Sequence, residues 1–251
     1  MCNHLRNVMS LRDYHRKRNF NKTAEPKGKI AKNAHYLFVI QKHAASHLHY
    51  DFRLELNGVL LSWAVPKGPC LEPNVKRLAI HVEDHPVEYG TFEGIIPKGE
   101  YGGGTVMLWD KGIWKPLDED PTKAYHEGHL RFELEGHKLK GRWDLFRFKD
   151  EKHWFLVKYA DKYAKPEADY AITSKMPKSV LTDQTIEEIQ ENYQNVWTKQ
   201  GLTKISKKPD TSKPLRKKLK VVLPDNLNSS PFPQSITPQL ATLVDEAPEG
   251  E

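Results

Sequence analysis

The feature that most constrains the fold is a succession of short segments between Tyr36 and Lys158 in which apolar and polar residues alternate. Turns rich in glycine, proline and asparagine separate about eight such segments, and no helix-length periodic stretch lies between them. Strands at this close spacing are typical of all-β sandwiches and barrels. We therefore predict an all-β fold: a small closed or partly open antiparallel β-barrel of about eight strands with short flanking helices.

Charge and composition divide the chain into four parts. The total of 39 Lys and Arg against 33 Asp and Glu gives a formal charge of +6, but the basic residues are concentrated outside the middle of the chain. Residues 1–32 hold nine basic and two acidic residues, and residues 199–220 hold nine basic and one acidic. We predict a basic N-terminal arm at 1–32, a barrel domain at 33–198 ending in a helix at 181–197, a disordered basic linker at 199–235 and a short apolar segment at 236–251.

Several classes of protein are excluded by the sequence. No apolar run approaches the roughly 20 residues of a membrane-spanning helix, and the first residues lack the apolar stretch of a secretory signal. The two cysteines, Cys2 and Cys70, are too few for a disulfide framework or a zinc pair. We expect a monomeric cytoplasmic protein with no membrane partner.

The densest set of reactive side chains lies on one predicted strand, at residues 47–56. Alternate residues of a strand share a face. One face then carries His47, His49, Asp51, Arg53 and Glu55. The opposite face carries Leu48, Tyr50, Phe52, Leu54 and Leu56, which form an apolar set for the core. So dense a polar face predicts a functional site.

Asn57 and Gly58 follow this strand and predict a type I′ hairpin. A two-residue loop places Ser62 opposite Arg53 and a small alanine opposite Asp51, which leaves room for a ligand. The returning strand ends at Lys67, at the rim of the predicted site.

A second strand, at residues 77–85, repeats the pattern. Its period predicts a core face of Leu78, Ile80 and Val82. The other face would carry Arg77, His81, Glu83 and His85.

These residue types point to chemistry at a phosphate. Two imidazoles and a carboxylate suit a divalent transition metal such as manganese, iron or zinc. Arg53, Lys67 and Arg77 would supply positive charge for phosphate oxygens. A metal can polarise a phosphoryl oxygen and lower the pKa of bound water. The Gly-rich residues 97–104 precede a strand instead of a helix, and so predict a barrel corner, from which Lys98 and Glu100 can reach the site.

Two alternatives from other functional classes remain. His49 and Asp51, with His81 or His85, would make the two-His-one-carboxylate set of a non-haem iron oxygenase. A catalytically silent nucleic-acid-binding module, anchored by the basic segments, is the other.

Two long segments carry a resemblance to a known family. FVIQKHAASHLHYDFRLELNGVLLSWAVPKGP and KRLAIHVEDHPVEYGTFEGIIPKGEYGGGTV resemble the 3′-phosphoesterase domain of bacterial DNA ligase D, and the similarity covers roughly residues 10–185. The resemblance implies a β-barrel enzyme that heals 3′ ends during end-joining repair. It implies use of manganese, removal of a 3′-terminal ribonucleotide from a primer–template, and then removal of the 3′-phosphate.

The resemblance also implies roles for individual residues. His43, His49 and Asp51 match the family's metal ligands. The residues matching its catalytic groups are Arg53, His85, Lys67, Arg77, Glu83 and Tyr89. The residues matching its substrate contacts are Arg18, Glu25, Lys67 and Arg77. Asn19 stands where the family typically has aspartate, which puts the contribution of the arm to diester cleavage in question.

The partners implied by the resemblance are DNA primer–templates with 3′-ribonucleotide or 3′-phosphate ends, together with ligase, polymerase and other end-joining proteins in the nucleoid. Residues 238–250 resemble the opening of the ATP-dependent ligase domain of the same family. We therefore expect residues 236–251 to be the truncated start of a ligase-like domain, in a truncated product or fragment.

Overall fold

A computed structural model describes residues 10–32, 35–192, 195–198 and 201–204, all within one structural unit, Met1–Lys207. The helices are α1 (Arg12–Lys17), α2 (Pro121–Glu127), α3 (Ile172–Lys175) and α4 (Ile186–Asn192). The first strands are β1 (Leu37–Ala44), β2 (Leu48–Leu56), β3 (Val59–Val65), β4 (Arg77–His81), β5 (His85–Pro86) and β6 (Gly94–Ile96). The remaining strands are β7 (Gly104–Pro116), β8 (His129–Gly136), β9 (Lys140–Arg147), β10 (His153–Lys158), β11 (Asn195–Thr198) and β12 (Gly201–Lys204). A 3₁₀ turn spans Val87–Thr91.

Eight antiparallel strands close the predicted barrel. The ring runs β1-β2-β3-β4-β10-β9-β8-β7 and returns from β7 to β1. Closure pairs every strand of the ring on both sides, so that no edge of the barrel is left open. The all-β prediction, with about eight strands and short helices, is confirmed. None of the helices in the described residues is long and apolar enough to cross a membrane.

Aromatic side chains fill the barrel. Trp63, Trp109, Trp114, Trp143 and Trp154 are all buried in one apolar cluster with Phe38, Phe52 and Phe132. Each large ring removes an apolar area from water that stabilises the fold by about 1.5–3 kcal/mol. This packed core supports β1, β2 and β3 from inside the barrel. The polar side chains of interest lie on the outward faces of these strands.

The hairpin between β2 and β3 has the predicted register. Asn57 and Gly58 adopt φ values of 51° and 80°, as a type I′ turn requires. Arg53 lies opposite Ser62, and Asp51 lies opposite Ala64. One member of the predicted core face differs: Leu48 is 50% exposed, because it begins the strand directly after the bend at 45–47.

The predicted faces of residues 77–85 are wrong. Leu78 is 39% exposed, whereas Ala79 is fully buried. His81 points inward, with its ring 5.3 Å from that of Trp63. Within β4 the period of two holds with the faces exchanged, since Ala79 and His81 face the core and Leu78 faces outward. Beyond His81 the chain leaves the ladder until β5, so the period does not extend to His85. A period of two holds only along a continuous strand.

The C-terminal helix is shorter than predicted. It begins only at Ile186, because Asp183 adopts a φ of 56° that an α-helix does not contain. Thr185 and Glu188 form a reciprocal capping box, with each side chain accepting a hydrogen bond from the other residue's amide. A strand follows at β11, within the predicted helix, and β12 lies within the predicted linker. Residues 205–251, including the predicted ligase-like segment, lie outside the described residues.

The N-terminal arm packs on the outer wall of the barrel. Tyr14 of α1 is fully buried, and its hydroxyl donates a 2.6 Å hydrogen bond to the carbonyl of Pro26. At the end of the arm, the amide of Ala31 donates to the carbonyl of Gly58 in the β2–β3 turn. The arm therefore covers the outer faces of β2 and β3.

Candidate metal and phosphate site

Three metal-ligating side chains meet on the outer faces of β1 and β2. His43 and His49 are direct cross-strand partners, and Asp51 follows two residues later on the same face. Nδ1 of His43 and Nε2 of His49 each lie 3.6 Å from an oxygen of Asp51. The ligand atoms of all three lie within 4.8 Å of one another. The structure thus brings together the three predicted ligands.

Backbone carbonyls orient both imidazoles. Nε2 of His43 lies 2.8 Å from the carbonyl of Gly102, and Nδ1 of His49 lies 2.9 Å from that of His47. A carbonyl oxygen only accepts, so each of these nitrogens carries a proton that it donates. The other nitrogens, Nδ1 of His43 and Nε2 of His49, therefore face Asp51 and are the ones placed to ligate a metal. Two imidazole lone pairs and one carboxylate form a donor set that fits a divalent transition metal.

Asp51 is ready to ligate. Burial by itself would raise the pKa of its carboxyl, but Arg53 and the two imidazoles outweigh that effect and hold the pKa well below its ordinary value. The side chain is therefore a carboxylate at neutral pH and needs no deprotonation to accept a cation.

Arg53 is fixed by hydrogen bonds on all sides. It is 2% exposed, and its Nη2 donates a 3.0 Å bond to Asp51. Its Nε and Nη1 donate 2.8 Å bonds to Gln41 and Ser62. The amide of Gln41 is held in turn by the carbonyls of Tyr89 and Phe92. Arg53 thus presents its charge from one defined position beside the metal ligands.

The sequence reasoning missed Gln41 as a support of Arg53. A signal was available, because Gln41 is an amide that follows four apolar residues and lies two residues before His43, on the same strand face. Ser62 was noticed only as a small residue opposite Arg53.

His85 lies between two guanidinium groups. Its Nδ1 is 3.0 Å from Nη1 of Arg53, and its Nε2 is 3.0 Å from Nη2 of Arg18. Burial and the two arginines hold the pKa of His85 well below its ordinary value. The ring is therefore neutral, with Nδ1–H donating to the carbonyl of Glu83 at 2.9 Å and Nε2 accepting from Arg18.

Arg18 brings the arm into the site. Its Nε donates to Glu25 at 2.6 Å and its Nη1 donates to Glu83 at 2.9 Å. Glu83 also accepts from Lys17 at 2.9 Å. Burial tends to raise the pKa of Glu83, but Lys17 and Arg18 bring it below its ordinary value. The predicted arm residues Arg18 and Glu25 thus join the predicted site.

The charges of this cluster balance. The cations Lys17, Arg18 and Arg53 face the carboxylates Glu25, Asp51 and Glu83 in direct ion pairs. Their formal sum is zero. A bound divalent cation would therefore provide the net positive charge needed to hold a phosphate.

The other predicted residues occupy different surroundings. Tyr89 is buried, with its ring centre 4.9 Å from the Arg53 guanidinium, and burial raises its pKa well above the ordinary value. It therefore remains a neutral phenol. Lys67 is exposed in the turn after β3. Arg77 forms an ion pair with Glu167, so its described contacts lie away from the metal ligands.

Asn19 is exposed at the end of α1. Its side-chain oxygen accepts a 3.1 Å hydrogen bond from the amide of Asn21, and its carbonyl accepts from the amides of Lys22 and Thr23. In this structure Asn19 shapes the turn that leads to Glu25.

The oxygenase ligand set does not assemble. His81 is turned into the barrel, where its Nε2 lies 3.0 Å from the hydroxyl of Tyr125. Both ring nitrogens of His85 contact guanidinium groups. Within the described residues, the one group suited to a metal is His43, His49 and Asp51.

Asp84, next to this site, should make the free energy of unfolding depend on pH. It accepts a hydrogen bond from the amide of Ser10, and burial raises its pKa to about 6. Folding then favours protonated Asp84 between about pH 4 and 6, so this group costs stability as pH rises through that range. Asp84→Asn is expected to raise the free energy of unfolding at pH 7 by up to about 3 kcal/mol, and the gain should vanish near pH 4. Urea unfolding of both proteins at the two pH values measures this; a gain that is the same at both would contradict it.

The chain resembles known proteins over nearly its whole length. Residues 41–147 match the family model described as DNA Ligase D 3′-phosphoesterase domain. The multifunctional non-homologous end joining protein LigD of Pseudomonas aeruginosa is 44% identical over 247 residues, covering 96% of this chain. The corresponding DNA repair protein of Mycobacterium tuberculosis is 48% identical over 141 residues, covering 55% of this chain. The chain spans 27% and 18% of the length of these relatives.

The matched segment coincides with the site. It contains the three candidate ligands as well as Arg53 and His85. Arg53 links the ligands to His85, because it contacts both Asp51 and His85. The family resemblance predicted from the sequence is thereby confirmed. Residues 41–147 of this chain belong to the DNA ligase D 3′-phosphoesterase domain family.

Proposed function

We propose that this protein is a manganese-dependent 3′-phosphoesterase that heals DNA ends during end-joining repair. At a 3′-terminal ribonucleotide of a primer–template it releases the ribonucleoside, which leaves a 3′-phosphate on the primer, and it then removes that phosphate. The observation that carries the proposal is the direct bond between Asp51, a candidate ligand, and Arg53, a candidate phosphate contact. The relatives are non-homologous end joining proteins by name, which supports the repair role.

His43, His49 and Asp51 would hold the metal. When bound, a divalent cation supplies a Lewis acid for a phosphoryl oxygen and lowers the pKa of a coordinated water. Nitrogen and carboxylate donors suit manganese as well as iron and zinc, and the family resemblance favours manganese. The protein's share of this step is to orient the two imidazoles through the carbonyls of Gly102 and His47.

Arg53 and Arg18 bind the scissile phosphate from two sides of His85. Arg53 is fixed by Gln41 and Ser62, so it loses little conformational entropy when it contacts an oxyanion. Glu25 and Glu83 hold Arg18 in place. Lys67, exposed in the turn after β3, contacts the nucleic acid at the rim of the site.

His85 is the general acid of the proposed reaction. Its neutral ring presents Nε2 to Arg18 in this structure, and a phosphate beside it would raise its pKa by adding negative charge. With Arg18 turned to the phosphate, His85 takes up a proton from water at Nε2 and delivers it to the leaving oxygen. The buried phenol of Tyr89, which packs against the His85 ring at 4.8 Å, keeps the ring oriented.

The neighbouring 2′-hydroxyl distinguishes a ribonucleotide end from a DNA end. This group is present in the diester substrate and absent from a DNA primer, so it sets which 3′ termini are cut.

The test is a cleavage assay on a labelled primer–template with a single 3′ ribonucleotide. Manganese should give stepwise loss of the ribonucleoside and then of the phosphate, and a chelator should stop both steps. Intact primer with excess protein under manganese, zinc, iron and magnesium would overturn the proposal. Salt-sensitive binding without any product would instead indicate a nucleic-acid-binding module.

A further inference from the structure

Tyr101 is an exposed aromatic side chain at the edge of the site, and the roles described so far do not use it. It keeps 47% of its surface exposed, on the glycine-rich loop of residues 97–104. Two successive turns shape this loop, with the amide of Glu100 donating to Pro97 and the amide of Gly103 donating to Glu100. Tyr101 follows Glu100, the residue that the two turns share, so the two hydrogen bonds constrain the backbone on both sides of it.

The loop is attached to a candidate metal ligand. The carbonyl of Gly102, the residue after Tyr101, accepts the hydrogen bond from Nε2 of His43. Gly102 has a φ of +74°, which favours glycine at this position. Two residues later the chain enters β7, where Thr105 lies opposite Ala44. The position of Tyr101 is thus fixed relative to His43.

Cations of the N-terminal arm surround the ring. Nζ of Lys17 donates a 3.2 Å hydrogen bond to the Tyr101 hydroxyl and lies 4.9 Å from the ring centre. The guanidinium of Arg18 lies 5.4 Å from the same centre. An exposed aromatic ring flanked by lysine and arginine has the chemistry of surfaces that stack on a nucleobase while holding its phosphates.

We propose that Tyr101 forms a stacking subsite for a nucleobase next to the scissile phosphate. This inference rests on the proposed function, because it needs a 3′ end in the site. The ring would fix the position of the terminal nucleotide, while Lys17 and Arg18 lie beside the strand's phosphates. Tyr101 is therefore a substrate-binding residue, with an effect on affinity larger than its effect on the chemical step.

A cycle of protein and substrate changes tests the subsite. The substrates are primer–templates ending in a 3′-phosphate, carried either on an ordinary nucleotide or on a stable abasic one. Tyr101→Ala should raise KM about tenfold on the ordinary primer and change kcat little. On the abasic primer the same substitution should have almost no effect, because the stacking partner is missing.

Two further variants separate stacking from support of the arm. Tyr101→Phe loses the bond to Lys17 but keeps the ring, so its KM should stay near that of the unchanged protein. Tyr163→Ala is the matched control, since Tyr163 is also exposed and has a lysine 5.2 Å from its ring centre. It should leave KM unchanged.

Equal KM increases on the ordinary and abasic primers would overturn the subsite, and so would a Tyr101→Phe variant as impaired as Tyr101→Ala. Unchanged KM in Tyr101→Ala, in a protein that cleaves the primer, would overturn the subsite alone. Absence of cleavage by the unchanged protein would overturn the proposed function itself.

Discussion

Asp51→Asn is expected to abolish both phosphoesterase activities, with a loss of about 10³-fold or more. Asp51 is the one carboxylate in the candidate ligand set, and it also accepts the 3.0 Å bond from Arg53. An asparagine keeps the size of the side chain but removes the charge that balances Arg53 and attracts a divalent cation. The loss should therefore appear first in metal affinity.

Calorimetric titration of the protein with manganese alone measures this loss without any substrate. The matched control is Asp110→Asn, because Asp110 is also fully buried but accepts hydrogen bonds from backbone amides, including those of Lys138 and Leu139. That control should lower the free energy of unfolding while leaving manganese affinity and activity per folded molecule unchanged. Manganese binding by Asp51→Asn at the original affinity would discard the ligand assignment.

Arg53→Lys is expected to lower kcat by about 10²- to 10³-fold on both substrates, even though the charge is kept. The guanidinium bonds Gln41, Ser62 and Asp51 at once from a planar fork. A lysine ammonium is a single point of charge on a flexible stem, so it cannot satisfy these three partners in the same geometry. The phosphate would then meet a cation that is no longer held in place.

Arg131→Lys serves as the control. Arg131 also forms a forked ion pair, with Asp118, but it is half exposed on β8. Steady-state kinetics should show no change for this variant, and thermal unfolding should show that both variants fold. An Arg53→Lys protein with kcat near the original would mean that Arg53 acts as a charge alone.

The sequence predicts the barrel and the face of β2 well, because both depend on local signals. The alternation from Tyr50 to Leu56 is continuous, and Asn57-Gly58 fixes the hairpin register. The cross-strand partners of Asp51 and Arg53 can therefore be found by counting residues outward from the turn. Closure of the ring through β7 and β1 depends instead on pairing between distant segments, which no local pattern specifies.

The same reasoning fails where a strand is interrupted. Residues 77–85 look like one strand, yet His81 enters the core and His85 enters the site, because the ladder breaks between them. The contact of His85 with Arg18 is equally hidden, since the two residues are far apart in the chain. The roles proposed for Arg18 and Glu25 rest on the family resemblance, and the packing of the arm places both residues beside His85 and Glu83.

The way the barrel closes has a consequence for how this family is delimited. The family match begins at residue 41, in the middle of β1, and ends at residue 147, before β10. A polypeptide cut to those limits would lack half of one wall strand and all of another, and it would also lose the arm that carries Arg18. The segment that matches the family is thus smaller than the segment that forms the closed barrel. A fragment expressed within the limits of the family match alone would form an open sheet.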